Sequence, residues 1–448
     1  MNSVKPQSMT EPGGPGSPGT PNSPAIGVYG TTEERPEVAH PGAAEAIRVG
    51  SRFQGIGRRA FLGAAASAAL GISTRGRADR ESPALAIYAD TVLTMAGPPI
   101  RNGVVLVRGG RIAAIGAGIS VPSGAAILRA TVVMPGLIDA HTHLGCLYER
   151  DEPLDAITPD LCVRDGFDAS DPALQQAVRA GVTAACVMPG NGNAIGGQGS
   201  LYRLGASLGL LREYAAQKFS LTAANSQRNP TSRGGVIALI RAALDGARRG
   251  QAVSSVTQTD LLSGFPTRLD ERARALLPVL TGERPVFVHA PASDDVENAL
   301  AIFDTYRLKG CLLHASQAFE VSEEIARRHL PVVLGPLRFE DDDRTLTNAG
   351  RLARAGIPVA FCSDAPLSDP ASLRLSAALA VKYGMDRTAA TLALTRTPAE
   401  ILGVDKQTGS LQKGMDADLL LLSGDPLNLT SRVLAVVSGG AVAYAARR

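Results

Sequence analysis

Between residues 136 and 403 the sequence repeats one rhythm: a short aliphatic run, then a longer stretch with helical spacing. The runs at 137–141, 183–188, 219–223, 285–289, 310–314, 331–334 and 357–362 read as strands. Those at 171–180, 233–249, 268–280, 293–307, 318–329, 344–355 and 370–383 read as helices. Such alternation points to a parallel sheet, because each parallel crossover needs a long connection that a helix supplies. The span of about 265 residues fits the roughly 250 of an eight-fold barrel. The expected fold is therefore α/β, a (β/α)8 TIM-type barrel over 136–403, with a doubly wound open sheet as the alternative. The remaining strand is placed near 199–204.

Both flanks of this region read as short strands punctuated by glycine. Gly109-Gly110 and Gly439-Gly440 each separate two apolar runs, the pattern of a tight hairpin. Residues 84–135 and 404–448 are thus expected to form one small β-sandwich domain built from both chain ends.

The first eighty residues do not belong to this pattern. Ten of the first 24 are Pro or Gly, so residues 1–57 read as a disordered leader that cannot bury enough apolar surface to order itself. Residues 58–80 hold Arg58-Arg59, Phe61-Leu62, an Ala-rich run and a second basic cluster of Arg75, Arg77 and Arg80. That segment resembles a twin-arginine export signal, which implies a periplasmic or extracellular protein; a cytoplasmic location is the alternative. Residues 1–80 carry 9 basic and 6 acidic side chains, while the other 368 carry 36 of each. A neutral body offers no basic face for nucleic acid. No apolar run reaches the length of about 20 residues that a membrane helix requires. The five cysteines (Cys146, Cys162, Cys186, Cys311 and Cys362) are odd in number and form no CxxC pair. They read as buried free thiols, not as a disulfide framework or a cysteine metal site.

The chemistry lies in the histidines. Of six, His40 falls in the leader and His329 ends a basic helix. The other four each close an aliphatic strand: His141 and His143 after Pro135-Gly-Leu-Ile-Asp-Ala, His289 after Pro-Val-Phe-Val, and His314 after Gly-Cys-Leu-Leu. Asp364 follows the strand at 357–362. Side chains alternate along a strand, so His141 and His143 point the same way and can hold one ion. In a barrel the carboxyl ends of the strands share one face, where residues distant in sequence converge. Imidazoles with a carboxylate suit Zn²⁺ or a similar divalent metal.

At these residues the chain resembles the amidohydrolase superfamily, and within it the imidazolonepropionase-like branch. The likeness spans roughly 84–446. It rests on Val133-Met-Pro-Gly-Leu-Ile-Asp-Ala-His-Thr-His143, on Ala180-Gly-Val-Thr183 with the segment 189–199, and on the return through 397–403 and 409–419. The resemblance implies His141, His143, His289 and Asp364 as metal ligands. It implies Asp364 and His314 as catalytic groups, with Asp364 moving a proton and His314 polarising the substrate carbonyl. The activity implied is hydrolysis of a non-peptide C–N bond in a cyclic or linear amide, by attack of a metal-bound hydroxide on a small-molecule substrate. A deaminase, dipeptidase or lactonase on the same scaffold is the near alternative, and a non-catalytic binding protein with a decayed site the distant one. The resemblance also makes a homo-oligomer a candidate state, since relatives are often dimers or larger.

Two positions depart from that pattern. Binuclear members place a bridging Lys or Glu on the fourth strand, and the segment 218–230 contains no Glu. Lys218 opens that strand, too early to bridge. Two residues after His289 stands Pro291 where relatives often have histidine. Both favour one Zn²⁺, two being the alternative with His314 as a further ligand. Two other segments resemble sites. Gly190–Gly199 lacks a true GxGxxG spacing and reads as a mouth loop that holds substrate or as a tight turn. The acidic run at 340–343 reads as a solvated helix start.

Overall fold

The computed structural model describes residues 84–206, 208–224, 228–249 and 267–447. The leader, with His40, and the twin-arginine-like segment lie outside the described residues. The chain begins with four strands, β1 (Leu85–Val92), β2 (Ile100–Arg108), β3 (Arg111–Ala117) and β4 (Ala126–Pro135). Barrel strands follow: β5 (Leu137–Thr142), β6 (Val182–Val187), β7 (Ile195–Arg203), β8 (Gly209–Ser220), β9 (Val286–His289), β10 (Gly310–Leu313), β11 (Val332–Leu334) and β12 (Val359–Phe361). The last three are β13 (Leu419–Leu422), β14 (Val433–Ser438) and β15 (Ala441–Ala445).

The two ends of the chain meet in one seven-stranded sheet, ordered β15-β14-β13-β4-β1-β2-β3. Both Gly-Gly pairs adopt positive φ in its hairpins, at β2–β3 and β14–β15. Ile87, Val105, Ile112, Val133, Leu419 and Leu421 form its buried core. Strand β4 passes into β5 through Gly136 alone. A Cβ there would stand 2.1 Å from the Thr183 hydroxyl, so only glycine lets this sheet run directly into the barrel.

The second sheet is an eight-stranded barrel ordered β12-β11-β10-β9-β8-β7-β6-β5. Its interior takes buried side chains from every strand, among them Ile138, Cys186, Leu201, Phe287, Leu313 and Ala360. Cys146, Cys186, Cys311 and Cys362 are buried free thiols, as their placement on apolar runs suggests, and Cys162 is partly buried.

The uniform parallel alternation needs one correction. β7 is antiparallel to both neighbours, and no helix separates β6, β7 and β8. The chain between Arg203 and Gly209 is too short for a parallel crossover, which needs a dozen residues or more, so a hairpin forms instead. The strand placed near 199–204 exists, but begins at Ile195 and runs the other way.

Nine α-helices are assigned among the described residues: α1 (Pro172–Ala180), α2 (Arg233–Arg248), α3 (Thr267–Leu280), α4 (Ser293–Tyr306), α5 (Ser322–Arg327), α6 (Asp343–Arg354), α7 (Ser372–Lys382), α8 (Arg387–Leu392) and α9 (Arg396–Ile401). Their ends are written in the sequence. Asp171 accepts from Ala173 N, Pro172 opens α1, and Gly181 closes it at φ 102°. The acidic run does start a helix: Asp342 accepts from Thr345 N at 2.8 Å and caps α6. None of the helices is long and apolar enough to cross a membrane.

Candidate active site

The site forms where the barrel strands end. His143 N donates to Ala365 O at 2.7 Å and Asp364 N to His141 O at 3.4 Å, which brings the ends of β5 and β12 side by side. His141 Nδ1 then lies 2.8 Å from Asp364 Oδ1, and His314 Nε2 lies 3.0 Å from the same oxygen. His289 Nδ1 is 3.1 Å from His314 Nδ1. His143 turns Nδ1 to the Met188 carbonyl at 2.9 Å, and its ring centroid lies 5.0 Å from that of His141. All five residues singled out in the sequence are therefore brought together. His329 is exposed at the end of α5, away from this group.

Lys218 is the principal correction. Strand β8 starts at Gly209, so Lys218 lies near its end instead of opening it. Its side chain is fully buried, with Nζ 2.8 Å from His141 Nε2. The fourth barrel strand thus delivers a lysine into the site, and the argument for a single ion from a missing fourth-strand group falls.

Two further residues belong here. Donor atoms of His141, His314, Cys362 and Asp364 all lie within 4.8 Å of one another, and Cys362 Sγ is 3.4 Å from His314 Nε2. Asp139 is buried beneath them. Its carboxylate accepts from Ser363 N at 3.0 Å, from Ser363 Oγ and from His141 N at 3.4 Å. It thereby ties the two segments that carry His141 and Asp364. Alternation was the available signal for one of them. Asp139 stands two residues before His141 on β5 and so shares a strand face with it, whereas Cys362 and Asp364 lie beyond the end of β12, where alternation gives no such signal.

Burial sets the protonation of the group. It holds the His141 imidazole well below its usual range, with the Lys218 charge adding to the effect. The same two causes lower His143 to about 4. His289 falls to about 2 through burial and the neighbouring His314. Burial also lowers Lys218 to about 8 and pushes Asp139 up to about 7 against its hydrogen bonds from Ser363. Burial would raise Asp364 too, but the His314 charge and the hydrogen bonds from His141 and His314 outweigh it and keep this carboxyl below its ordinary range. The site therefore pairs the neutral imidazoles of His141, His143 and His289 with an ionised carboxylate.

His314 and Asp364 have left-handed backbones, φ 53° and 54°. For non-glycine residues this costs on the order of 1–3 kcal/mol, and such strain persists where neighbouring structure enforces it. Here the enforcement is visible, since His314 N bonds Val333 O at 2.9 Å and Leu367 N bonds Asp364 O at 2.9 Å.

In the long connection from β5 to α1, residues 150–158 pack against the segment that leads into β7, with Gly190 N bonding Arg150 O and Thr158 N bonding Ile195 O. Gly192 N donates to Asp151 Oδ1 at 2.8 Å, and a Cβ on Gly190 would meet the Asp151 carboxylate at 2.3 Å. The close approach made by the glycine segment is thus to Asp151, and Ile195–Arg203 is strand. A cavity of about 310 Å³ at this connection is lined by Arg150, Asp151, Thr158, Pro189 and Asn193 among others. Pro189 directly follows Met188, whose carbonyl holds His143.

Comparison with known proteins agrees with this geometry. Residues 317–444 match the profile of the Amidohydrolase family. The amidohydrolase tasK of Hapsidospora irregularis is 25% identical over 342 residues, covering 66% of this chain and 34% of that protein. The chain thus spans about a third of the length of that curated relative. An amidohydrolase from Thermotoga maritima superposes with a TM-score of 0.72 at 27% identity, over 81% of this chain and all of that one. The ochratoxinase of A. niger shares the fold at a TM-score of 0.50 and 18% identity, over 81% of this chain and 96% of that one. By the family match over its C-terminal part and the Thermotoga likeness over four-fifths of its length, this chain is similar to the amidohydrolases in sequence and in fold.

Proposed function

We propose that the chain is a metal-dependent hydrolase that cleaves a non-peptide C–N bond in a small amide, as the imidazolonepropionase-like resemblance implies. The observation that carries the reading is the convergence of four histidines, Asp364 and Lys218 at the carboxyl ends of the barrel strands.

The residues fit a metal. Buried imidazoles with depressed pKa values are already neutral, the form that ligates. A catalytic zinc ion takes about three protein ligands and keeps one open position. His141, His143, His289, His314, Asp364, Cys362 and Lys218 offer about twice that number, so the set suits two ions. An ammonium has no lone pair, so Lys218 can join only after losing its proton, and its value of about 8 brings that within reach. Such an ion supplies Lewis acidity to the amide carbonyl and makes water reactive at neutral pH.

The chain's own groups do the rest. Asp364 Oδ1, reached by both His141 and His314, is the atom that takes a proton from the attacking water and returns it to the leaving nitrogen. His314, on the same oxygen, fixes the direction of that transfer. Asp139 holds the Ser363 backbone and so fixes where Asp364 stands.

The test is turnover of a panel of cyclic and linear amides by the metal-replete protein, beside Asp364→Asn. Proton transfer of this kind contributes on the order of 10²–10⁴ in rate, so the variant is expected to lose at least that lower factor while remaining folded. Equal turnover by the variant, or no turnover of any amide by the replete protein, defeats the proposal.

A further inference from the structure

Away from the barrel mouth, a cavity of about 1030 Å³ lies between the seven-stranded sheet and the barrel helices. Five arginines line it, Arg129, Arg179, Arg374, Arg432 and Arg447, and no Asp or Glu does. That bias is local, because the chain beyond residue 80 is neutral. Arg374 is committed to the carbonyls of Pro426, Asn428 and Ser431, and Arg129 lies over the Tyr88 ring at 4.8 Å. Among the described residues, the guanidinium groups of Arg179, Arg432 and Arg447 make no hydrogen bond or ion pair.

The other half of the lining is apolar. Ile127 and Leu429, exposed at 53% and 52%, both face this space, together with Val433, Leu434 and Tyr444. The start of α7 opens onto it as well through Ala371, an N-cap with no side chain to accept from the helix N–H groups. Unpaired guanidinium groups and a helix N-terminus both favour an anion, while the exposed aliphatic surface favours a hydrocarbon. The volume is at the upper end of the range for small-ligand pockets.

We propose that this cavity binds one amphipathic organic anion, an alkyl chain ending in a phosphate or carboxylate. The apolar floor takes the chain, and Arg179, Arg432 and Arg447 take the head group. A concave space bounded by a sheet and helices suits one molecule better than contact with a flat surface. The site is independent of the metal chemistry at the other location.

The probe is decyl phosphate, titrated calorimetrically into the full-length protein below the concentration at which it forms micelles. Decanol, decyltrimethylammonium and inorganic phosphate are the comparators. Saturable binding of about one equivalent is expected, with decanol, the cation and inorganic phosphate at least about tenfold weaker. Arg179→Glu/Arg432→Glu and, separately, Leu429→Asp are expected to weaken it at least about tenfold. Arg241→Glu, at an exposed position on α2, should bind as the parent does, and circular dichroism verifies the fold of each variant. The proposal is overturned by any of four results: no saturable binding, equal affinity for decanol, unchanged affinity in both groove variants, or binding to anionic vesicles with none to monomeric decyl phosphate.

Discussion

Lys218 Nζ stands 2.8 Å from His141 Nε2, and neither side chain is exposed. A protonated Lys218 donates to His141 Nε2, so an ion that took this nitrogen would have to displace that hydrogen bond. Burial, by lowering Lys218 to about 8, has already weakened its hold on the proton.

Lys218→Met should therefore separate stability from function. Removing a buried amine with incomplete partners is expected to stabilise the metal-free protein by about 1–3 kcal/mol. It should also lower bound metal by about half, since one of two ions loses a ligand. Chemical denaturation and elemental analysis read the two effects, and a destabilised variant with full metal content would contradict the account.

Asp139 touches no substrate, yet it holds Ser363 and the His141 backbone together. Asp139→Ala is expected to weaken metal affinity by about 10–100-fold, the usual effect of losing a group that orients ligands. Competition against a chelator measures this. Unchanged affinity would show that Ser363 and Asp364 are positioned without it.

Cys362 tests how far the donor set extends. With Co²⁺ loaded, the near-ultraviolet thiolate-to-cobalt band should be present in the parent and absent in Cys362→Ser, which offers no sulfur. Its absence from the parent would remove Cys362 from the ligands and leave it as a core thiol.

The metal-free protein should lose stability in acid. His143 is lowered to about 4 in the folded state by burial and then by Lys218, whereas an unfolded histidine titrates near 6.5. Between these values the unfolded chain binds more protons, so stability is fully present above about 6.5 and falls as the pH drops toward 4. From pH ~7.5 to ~5 this residue accounts for about 2 kcal/mol. Denaturation at the two values, compared with His143→Gln, checks it; parallel losses in both proteins would contradict the assignment.

How much of this was legible in the sequence depends on which force set each feature. The strand-end histidines stood out because each closes an aliphatic run, and alternation placed His141 and His143 on one face. Lys218 was misplaced because Arg212, Glu213 and Gln217 interrupt the apolar pattern of β8, so the strand seemed to start at Phe219. Its polar residues have tertiary partners that local pattern does not record: Arg212 bonds Leu402 O and Gln217 bonds Gly196 O. The reversed direction of β7 follows from a loop length that was readable but outweighed by the surrounding alternation. Cys362 passed as a core thiol because hydrophobicity describes its burial and says nothing of the imidazole 3.4 Å away.

The most direct measurement is the metal content of the purified full-length protein after dialysis, by inductively coupled plasma mass spectrometry, beside His141→Ala/His143→Ala. The account predicts about two divalent ions per chain in the parent and fewer than about one in the variant. A metal-replete parent that retains no more ion than the variant would contradict it, and with it the hydrolase reading of the site.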